Sequence, residues 1–315
     1  MSMSVLTETI RPLRRVTMPH KRYSKQEQHI ALAGIAFITP AALYVLIFNI
    51  FPVLYAFYLS FTDYNPINRN GPQFYGLSGY QTLLTSQQFW NALWVTVQYT
   101  LEVVPPAVVL AMGMAVLVNA RLRGITFFRA LFYLPRIVSL TAVSLIWLWL
   151  YSNNGFFNYL LSLIGKGGVA WLTSPAIALH ALAVMRIWKA LGGNMVFFLA
   201  GLQSIPGELY EAAKIDGAGS WSLFRHVTLP GLRPVLVYVA TVNLIYIFQS
   251  FSEIYIMTAG GPVESTTTVN MLIYNQAFQY NQLGLASATA FLLFAVIFAF
   301  AFFNIRLISR RGTAS

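Results

Sequence analysis

The chain has 315 residues, of which 57% are hydrophobic and only 9% charged, and its mean hydropathy is +0.62. Soluble domains carry about 25% charged residues, so this composition excludes a water-exposed globule and indicates an integral membrane protein. The absence of cysteine excludes a disulfide framework and thiolate metal sites, and the formal net charge of +11 takes its meaning from where the basic residues lie.

At the N-terminus, Arg11, Arg14, Arg15, Lys21, Arg22 and Lys25 precede an apolar run from Ile30 past Val53. A signal-peptide core spans only ~7–15 residues. The run therefore reads as an uncleaved first membrane helix behind a basic cytoplasmic tail over residues 1–28, with the membrane domain covering 29–315. A bilayer core takes about 20 apolar residues per helix. Segments at about 30–60, 92–118, 127–151, 176–200, 233–257 and 284–307 meet that length. Pro40 and Pro52 fall in the first and Pro105-Pro106 in the second, where neighbouring groups can satisfy the freed carbonyls. The predicted fold class is an all-α, polytopic membrane protein with six transmembrane helices. No internal repeat or low-complexity segment is visible.

Basic residues recur in every second connection. After the N-terminal group come Arg121, Arg123 and Arg129, then Lys214, Arg225 and Arg233, then Arg306, Arg310 and Arg311. The opposite connections hold Arg69 and Lys166. The positive-inside rule places the basic side, with both termini, in the cytoplasm. The charge excess is thus assigned to topology and to no nucleic-acid partner. The outer segments 63–91 and 258–283 are rich in turn formers and aromatics. They combine an interfacial belt with a surface on which another protein could dock.

Between the fourth and fifth segments lies a polar island at about 203–230. Ser204 is placed to cap a helix with Pro206 in its first turn and Glu208 near its positive end. That helix runs to Lys214, Asp216-Gly217 breaks it, Ser220 caps a second short helix, and Leu229-Pro230 ends it. Ala212, Ala213, Gly217, Ala218 and Gly219 allow close approach by another backbone. Spacing alone leaves two readings level: a knob that docks a partner, and an amphipathic helix on the inner membrane surface.

The order Glu211-Ala212-Ala213, Asp216-Gly217-Ala218, then Val227, Leu229 and Pro230 resembles the EAA motif of permease subunits of binding-protein-dependent ABC importers. SFTDYNP (60–66), FYGLSGYQTLL (74–84), FFRALFYLP (127–135), FLAGLQSIPGELYEAA (198–213) and TAGGPVESTTT (258–268) extend the likeness. Together they are similar to the sugar-importer branch with maltose-type and glycerol-phosphate-type permeases, and to the first permease of each pair. The resemblance implies the type I ABC importer permease architecture in a bacterial or archaeal cytoplasmic membrane. It also implies a second, paralogous permease, two ATP-binding subunits and an extracytoplasmic solute-binding protein as partners. The 203–230 loop would be the coupling element, with Glu211 as the acidic contact and Gly217 as the break. ATP and Mg would be used by the partner subunits. This chain lacks a GxxxxGK[ST] phosphate loop and binds no cofactor in this reading.

Polar groups inside membrane spans are costly and face a cavity or a partner. If 233–257 is one helix, Asn243, Tyr246, Ser250, Glu253 and Met257 share a face bordered by Gln249. The fourth segment carries Arg186 and Lys189, and the second Gln98 and Glu102. Two readings stand here. In one, these residues line a path for a sugar, with Arg186 hinting at an anionic group. In the other they hydrogen-bond between helices, with Arg186 paired to Glu102 or Glu253. Similar permeases commonly carry Trp-Lys where this chain has Trp188-Lys189, so Lys189 says little about substrate. His20, His29, His180 and His226 lack metal-ligand spacing. No paired catalytic carboxylates, nucleophile elbow or dinucleotide fingerprint is present, so the chain reads as a transport subunit and not an enzyme. The competing function is an ion-coupled secondary carrier with Glu102 or Glu253 as the coupling acid.

Overall fold

The computed structural model describes residues 25–68, 71–119 and 124–309. The expectations resting on Arg11, Arg14, Arg15, Lys21, Arg22, Arg69, Arg121, Arg123, Arg310 and Arg311 lie outside the described residues. Among the described residues the regular elements are all helices, and the β structure is one isolated antiparallel bridge, Thr62 with Phe74. The described residues divide into two compact units, with the boundary between Leu54 and Tyr55.

In the first unit, α1 (Lys25–Val45) passes through a π turn at Leu46–Ile50 into the start of α2 (Phe51–Leu59), which continues into the second unit. Phe51 N–H donates to Leu46 O, the five-residue spacing of a π turn, just ahead of Pro52. The widened turn lets the helix continue past a proline that would clash with a regular carbonyl ladder. Leu32–Leu59 is long and apolar enough to cross a membrane, and its window has no buried residue.

The second unit contains α3 (Ser78–Thr85), α4 (Gln87–Val118), α5 (Ile125–Ile137), α6 (Leu140–Leu150), α7 (Phe156–Leu163) and α8 (Ala178–Ser204). After these come α9 (Gly207–Ile215), α10 (Ser220–Leu223), a π turn (Phe224–Thr228) and α11 (Leu229–Gly231). The chain continues through α12 (Arg233–Phe248), α13 (Ser252–Met257), α14 (Val269–Tyr274), a π turn (Asn275–Gln279) and α15 (Leu283–Ser309). Among the described residues, four helices are long and apolar enough to span a membrane, or six if each of two bent pairs counts as one span.

The core forms where α4 packs along α8. Tyr99, Val103, Ala107, Ala111 and Ala115 recur every four residues on α4, and all are fully buried. Four-residue spacing keeps them on one helix face. The alanines bring the two backbones close, the usual device where lipid offers no hydrophobic drive between helices. A second cluster joins Leu83, Phe89, Phe248, Leu272, Ala288 and Leu293.

Two expected continuous spans are broken. The third bends by 96° between α5 and α6. Pro135 removes a ladder bond in the last turn of α5, Val138 is extended, and the Ser139 hydroxyl caps α6 by accepting from Ala142 N–H at 3.2 Å. The fifth stops at Phe248, and the chain passes through Gln249–Phe251 before α13. There Thr268 Oγ1 donates to Ser250 O at 3.1 Å and Asn270 Nδ2 to Gln249 O at 2.8 Å. These side chains satisfy carbonyls that the helix would otherwise have bonded. Ser250, Glu253 and Met257 therefore do not continue the face of Asn243 and Tyr246, which corrects the one-face expectation.

The segment 258–268 is tightly folded. Thr266 donates to Gly261 O at 2.8 Å and Thr267 to Gly260 O at 3.0 Å, while the Thr268 hydroxyl caps α14. Thr266, Thr267 and Thr268 are all buried. The three consecutive threonines fold the loop inward instead of presenting a loose polar surface.

Candidate coupling loop and solute cleft

The loop between α8 and α12 is a closed knob. α8 runs to Ser204, whose hydroxyl donates back to Gly201 O at 2.8 Å, so it does not cap α9 as expected. Pro206 occupies the N-cap position instead. At the other end, Gly217 N–H donates to Lys214 O at 3.0 Å and Ala218 N–H to Ala213 O at 2.9 Å. This pair of bonds is the Schellman closure, with Gly217 left-handed at φ 81°. An added Cβ at Gly217 would meet nothing within 4 Å, so glycine is required there for its backbone conformation alone.

The second half departs from expectation in two ways. Gly219, not Ser220, takes the cap position of α10, and Pro230 does not end the helix. Leu229 N–H donates to Phe224 O across the π turn, and the helix carries Pro230 inside α11. The 64° bend comes between α11 and α12. Tyr210 and Thr228 hydroxyls meet at 3.0 Å and tie α9 to the π turn. Gly231 lies so close to Ile205 that an added Cβ would stand 2.7 Å from its Cδ1.

Glu211, Ala212, Asp216 and Gly217 are exposed, Ala213 and Ala218 are half-buried, and Leu229 and Pro230 sit half-buried at the base. Sequence reasoning missed Ile215, which is 86% exposed beside Gly217, while Trp221 across the break is 72% exposed. An isolated isoleucine between Lys214 and Asp216 was the available signal.

Of the residues expected on a solute path, Arg186, Lys189, Asn243 and Tyr246 line one cleft of about 80 Å³, together with Arg136, Gly193 and Asn194. Gln249 lines a different hollow with Asn270 and α15 residues. Ser250 is buried and its hydroxyl has no hydrogen-bond partner among the described residues. Glu253 is fully buried, 3.3 Å from Tyr99 Oη and 3.6 Å from Arg186 Nε, so it is the acid that pairs with Arg186. Glu102 bonds His180 Nδ1 at 2.8 Å and Gln98 Nε2 at 2.9 Å instead.

Within the cleft, Lys189 and Asn243 have structural work. Lys189 is buried and donates to Pro135 O at 3.1 Å and Val138 O at 2.7 Å. A cation on carbonyls freed at a helix C-terminus also meets the negative end of the helix dipole. The amides of Asn194 and Asn243 bond each other at 3.0 and 3.3 Å, and Asn243 Nδ2 also donates to Val239 O at 2.7 Å. Tyr246 is exposed on the cleft wall. Gly192 brings α8 against α5 so closely that an added Cβ would stand 1.9 Å from Phe132 O. Arg136 was hidden inside an expected apolar span; a cation directly after Pro135 was the overlooked signal.

Comparison with known proteins assigns this architecture. Residues 107–312 match the family described as binding-protein-dependent transport system inner membrane component. The probable ABC transporter permease protein YesP of Bacillus subtilis is 34% identical, over 84% of this chain and 87% of its own length. The trehalose/maltose transport system permease protein MalF of Thermococcus litoralis is 34% identical, over 90% of this chain and 96% of its own. In fold, the chain is similar to one from a bacterial alginate ABC transporter crystallised with an alginate pentasaccharide-bound periplasmic protein. The TM-score is 0.80, at 23% identity, covering 91% of this chain and 98% of that one. The chain therefore belongs to the binding-protein-dependent transport system inner membrane component family, among the sugar-type ABC transporter permeases.

Proposed function

We propose that this protein is the membrane-spanning subunit of an ATP-driven type I importer for a sugar or sugar-like solute, delivered by an extracytoplasmic binding protein. It crosses a bacterial or archaeal cytoplasmic membrane six times, the bent α5–α6 pair making the third crossing and α12 with α13 the fifth, with both termini inside. A second permease completes the pathway, and two ATPase subunits that use ATP and Mg drive it. Relatives named for trehalose/maltose and for multiple sugars support the solute class.

The observation that carries the reading is the 203–230 knob. Its Schellman closure at Gly217 presents Glu211 on one side and two exposed apolar side chains, Ile215 and Trp221, around the break. An apolar anchor with a charged rim is the composition of a protein-docking surface, and a membrane-surface helix has no need of a hydrogen-bonded glycine corner. The knob leads through Gly231 and Leu232 into α12, so a pull on it reaches the cleft wall at Asn243 and Tyr246.

Glu211→Lys reverses the exposed charge, and Gly217→Asp places a side chain at a left-handed position. Each should abolish ATP-dependent uptake, and stimulation of ATPase activity by the loaded binding protein, while membrane insertion stays at wild-type level. Wild-type uptake and stimulation in both variants would remove the coupling role.

A further inference from the structure

The cleft between α5, α8 and α12 carries a surplus of positive charge that its own protein groups do not neutralise. Arg136, Arg186 and Lys189 all line it and no acidic residue does, while Glu253, outside the lining, stands 3.6 Å from Arg186. Lys189 is occupied by two backbone carbonyls. Arg186 reaches Glu253 only through Nε at 3.6 Å, and its other guanidinium nitrogens make no hydrogen bond among the described residues. Arg136 is exposed and has neither a hydrogen bond nor an ion pair among the described residues.

By contrast, Arg129, on the same helix as Arg136, donates to Val118 O through Nε and Nη2 at 3.2 and 2.6 Å and caps α4. Arg136 therefore stands out as a cation inside a membrane segment without structural work. Its stem lies over Gly193, where an added Cβ would come within 3.2 Å of Arg136 Cδ. That close passage sets the guanidinium across α8 into the space shared with Arg186 and Tyr246. An uncompensated charge in a spanning segment marks a solute path or a pairing partner. Two guanidinium groups suit a planar or tripodal oxyanion, which they bind through paired N–H donors. The exposed Tyr246 ring on the wall offers an apolar face to a sugar ring.

We propose that the solute is an acidic saccharide, its carboxylate or sulfonate held by Arg136 and Arg186 as it passes the cleft. This rests on the importer reading above and narrows its solute class. Lys189 supports the cleft by holding α5 and is not a ligand.

The test is whole-cell uptake with chromosomal Arg136→Gln, Arg136→Lys and Arg186→Gln variants of the full chain. The probes are radiolabelled uronate di- and trisaccharides, a sulfonated hexose, and their neutral counterparts. Wild-type cells should import an acidic probe with ATP dependence. Arg136→Gln should lower that uptake about tenfold or more, the effect of losing one charge-assisted hydrogen bond. Arg136→Lys should retain more uptake than Arg136→Gln. Membrane levels of each variant by immunoblot separate lost transport from lost folding, and Arg186→Gln is compared on the same scale. Import of neutral but not acidic probes overturns the proposal alone, as does unchanged acidic uptake in Arg136→Gln. Absence of ATP-dependent import for every probe overturns the importer reading together with it. A carboxylate-selective or sulfonate-selective import identifies which anion the cleft takes.

Discussion

Lys189 takes one of the roles that the sequence left open. A lysine in mid-span reads from sequence as a solute ligand or half of an ion pair. In the structure its ammonium holds Pro135 O and Val138 O, and it is buried at the turn where α5 gives way to α6. Removing it leaves two carbonyls without donors, each costing about 1–3 kcal/mol when buried. Lys189→Met should therefore lower the thermal stability of the detergent-solubilised protein, read as monodisperse protein remaining after heating. Arg136→Gln, which removes no hydrogen bond between described residues, should leave that curve in place. A Lys189→Met curve superimposable on wild type would return Lys189 to the list of solute ligands. The Asn194–Asn243 pair follows the same logic, because mutual amide bonds and Val239 O use both Nδ2 hydrogens of Asn243. Asn243 therefore joins α8 to α12, and the side chain it leaves free to face a solute is its neighbour one turn on, Tyr246.

At the scale of elements, the apolar segments were legible because each needs only local hydropathy. α4, α8 and α15 lie where expected, with α4 starting five residues earlier than the expected 92 and α8 ending four later than the expected 200. The breaks were less legible, for different reasons. The one at Val138 had local signals in Pro135 and the capping Ser139. The one at Gln249–Phe251 contains neither glycine nor proline, and its carbonyls are satisfied by Thr268 and Asn270 from a segment about twenty residues further on. No period or propensity in 233–257 carries that information. Thr268 does double duty, since its hydroxyl also accepts from Met271 N–H at 3.3 Å and caps α14. Thr268→Val should cost about 2 kcal/mol, one hydrogen bond plus one helix cap, and Asn270→Ala less, because Asn270 is on the exposed side. Thermal unfolding of the two single variants and the double variant checks this ranking. Equal melting of Thr268→Val and wild type would show that the break is held by something else. The knob was legible for the opposite reason: its glycine corner lies within six residues, although the caps expected at Ser204 and Ser220 were misplaced by one or two positions and the stop expected at Pro230 is absent.

For the whole molecule, the two acids that could serve an ion-coupled carrier, Glu102 and Glu253, already have partners among the described residues. Glu102 is held by His180 and Gln98, and Glu253 is fully buried against Tyr99 and Arg186. A coupling carboxylate must load and release its ion from both sides, and in this conformation Glu253 is fully buried. ATP-driven coupling instead needs the knob and the outer loops on opposite sides of the membrane. The knob connects to α8 at Ser204, while Lys166 lies before the other end of the same helix, so a single crossing by α8 separates them. The helix has 27 residues, about 40 Å at 1.5 Å per residue, enough to cross a hydrocarbon core of about 30 Å. The chain has no cysteine, so single introduced thiols report sidedness without a background. Ser220→Cys and Lys166→Cys both replace exposed residues. In intact cells a membrane-impermeant maleimide should label Lys166→Cys and spare Ser220→Cys, and in inside-out vesicles the pattern should reverse. Labelling of both from the same side would place the knob outside the cytoplasm, where no ATPase subunit could reach it, and the coupling reading would fall with the topology.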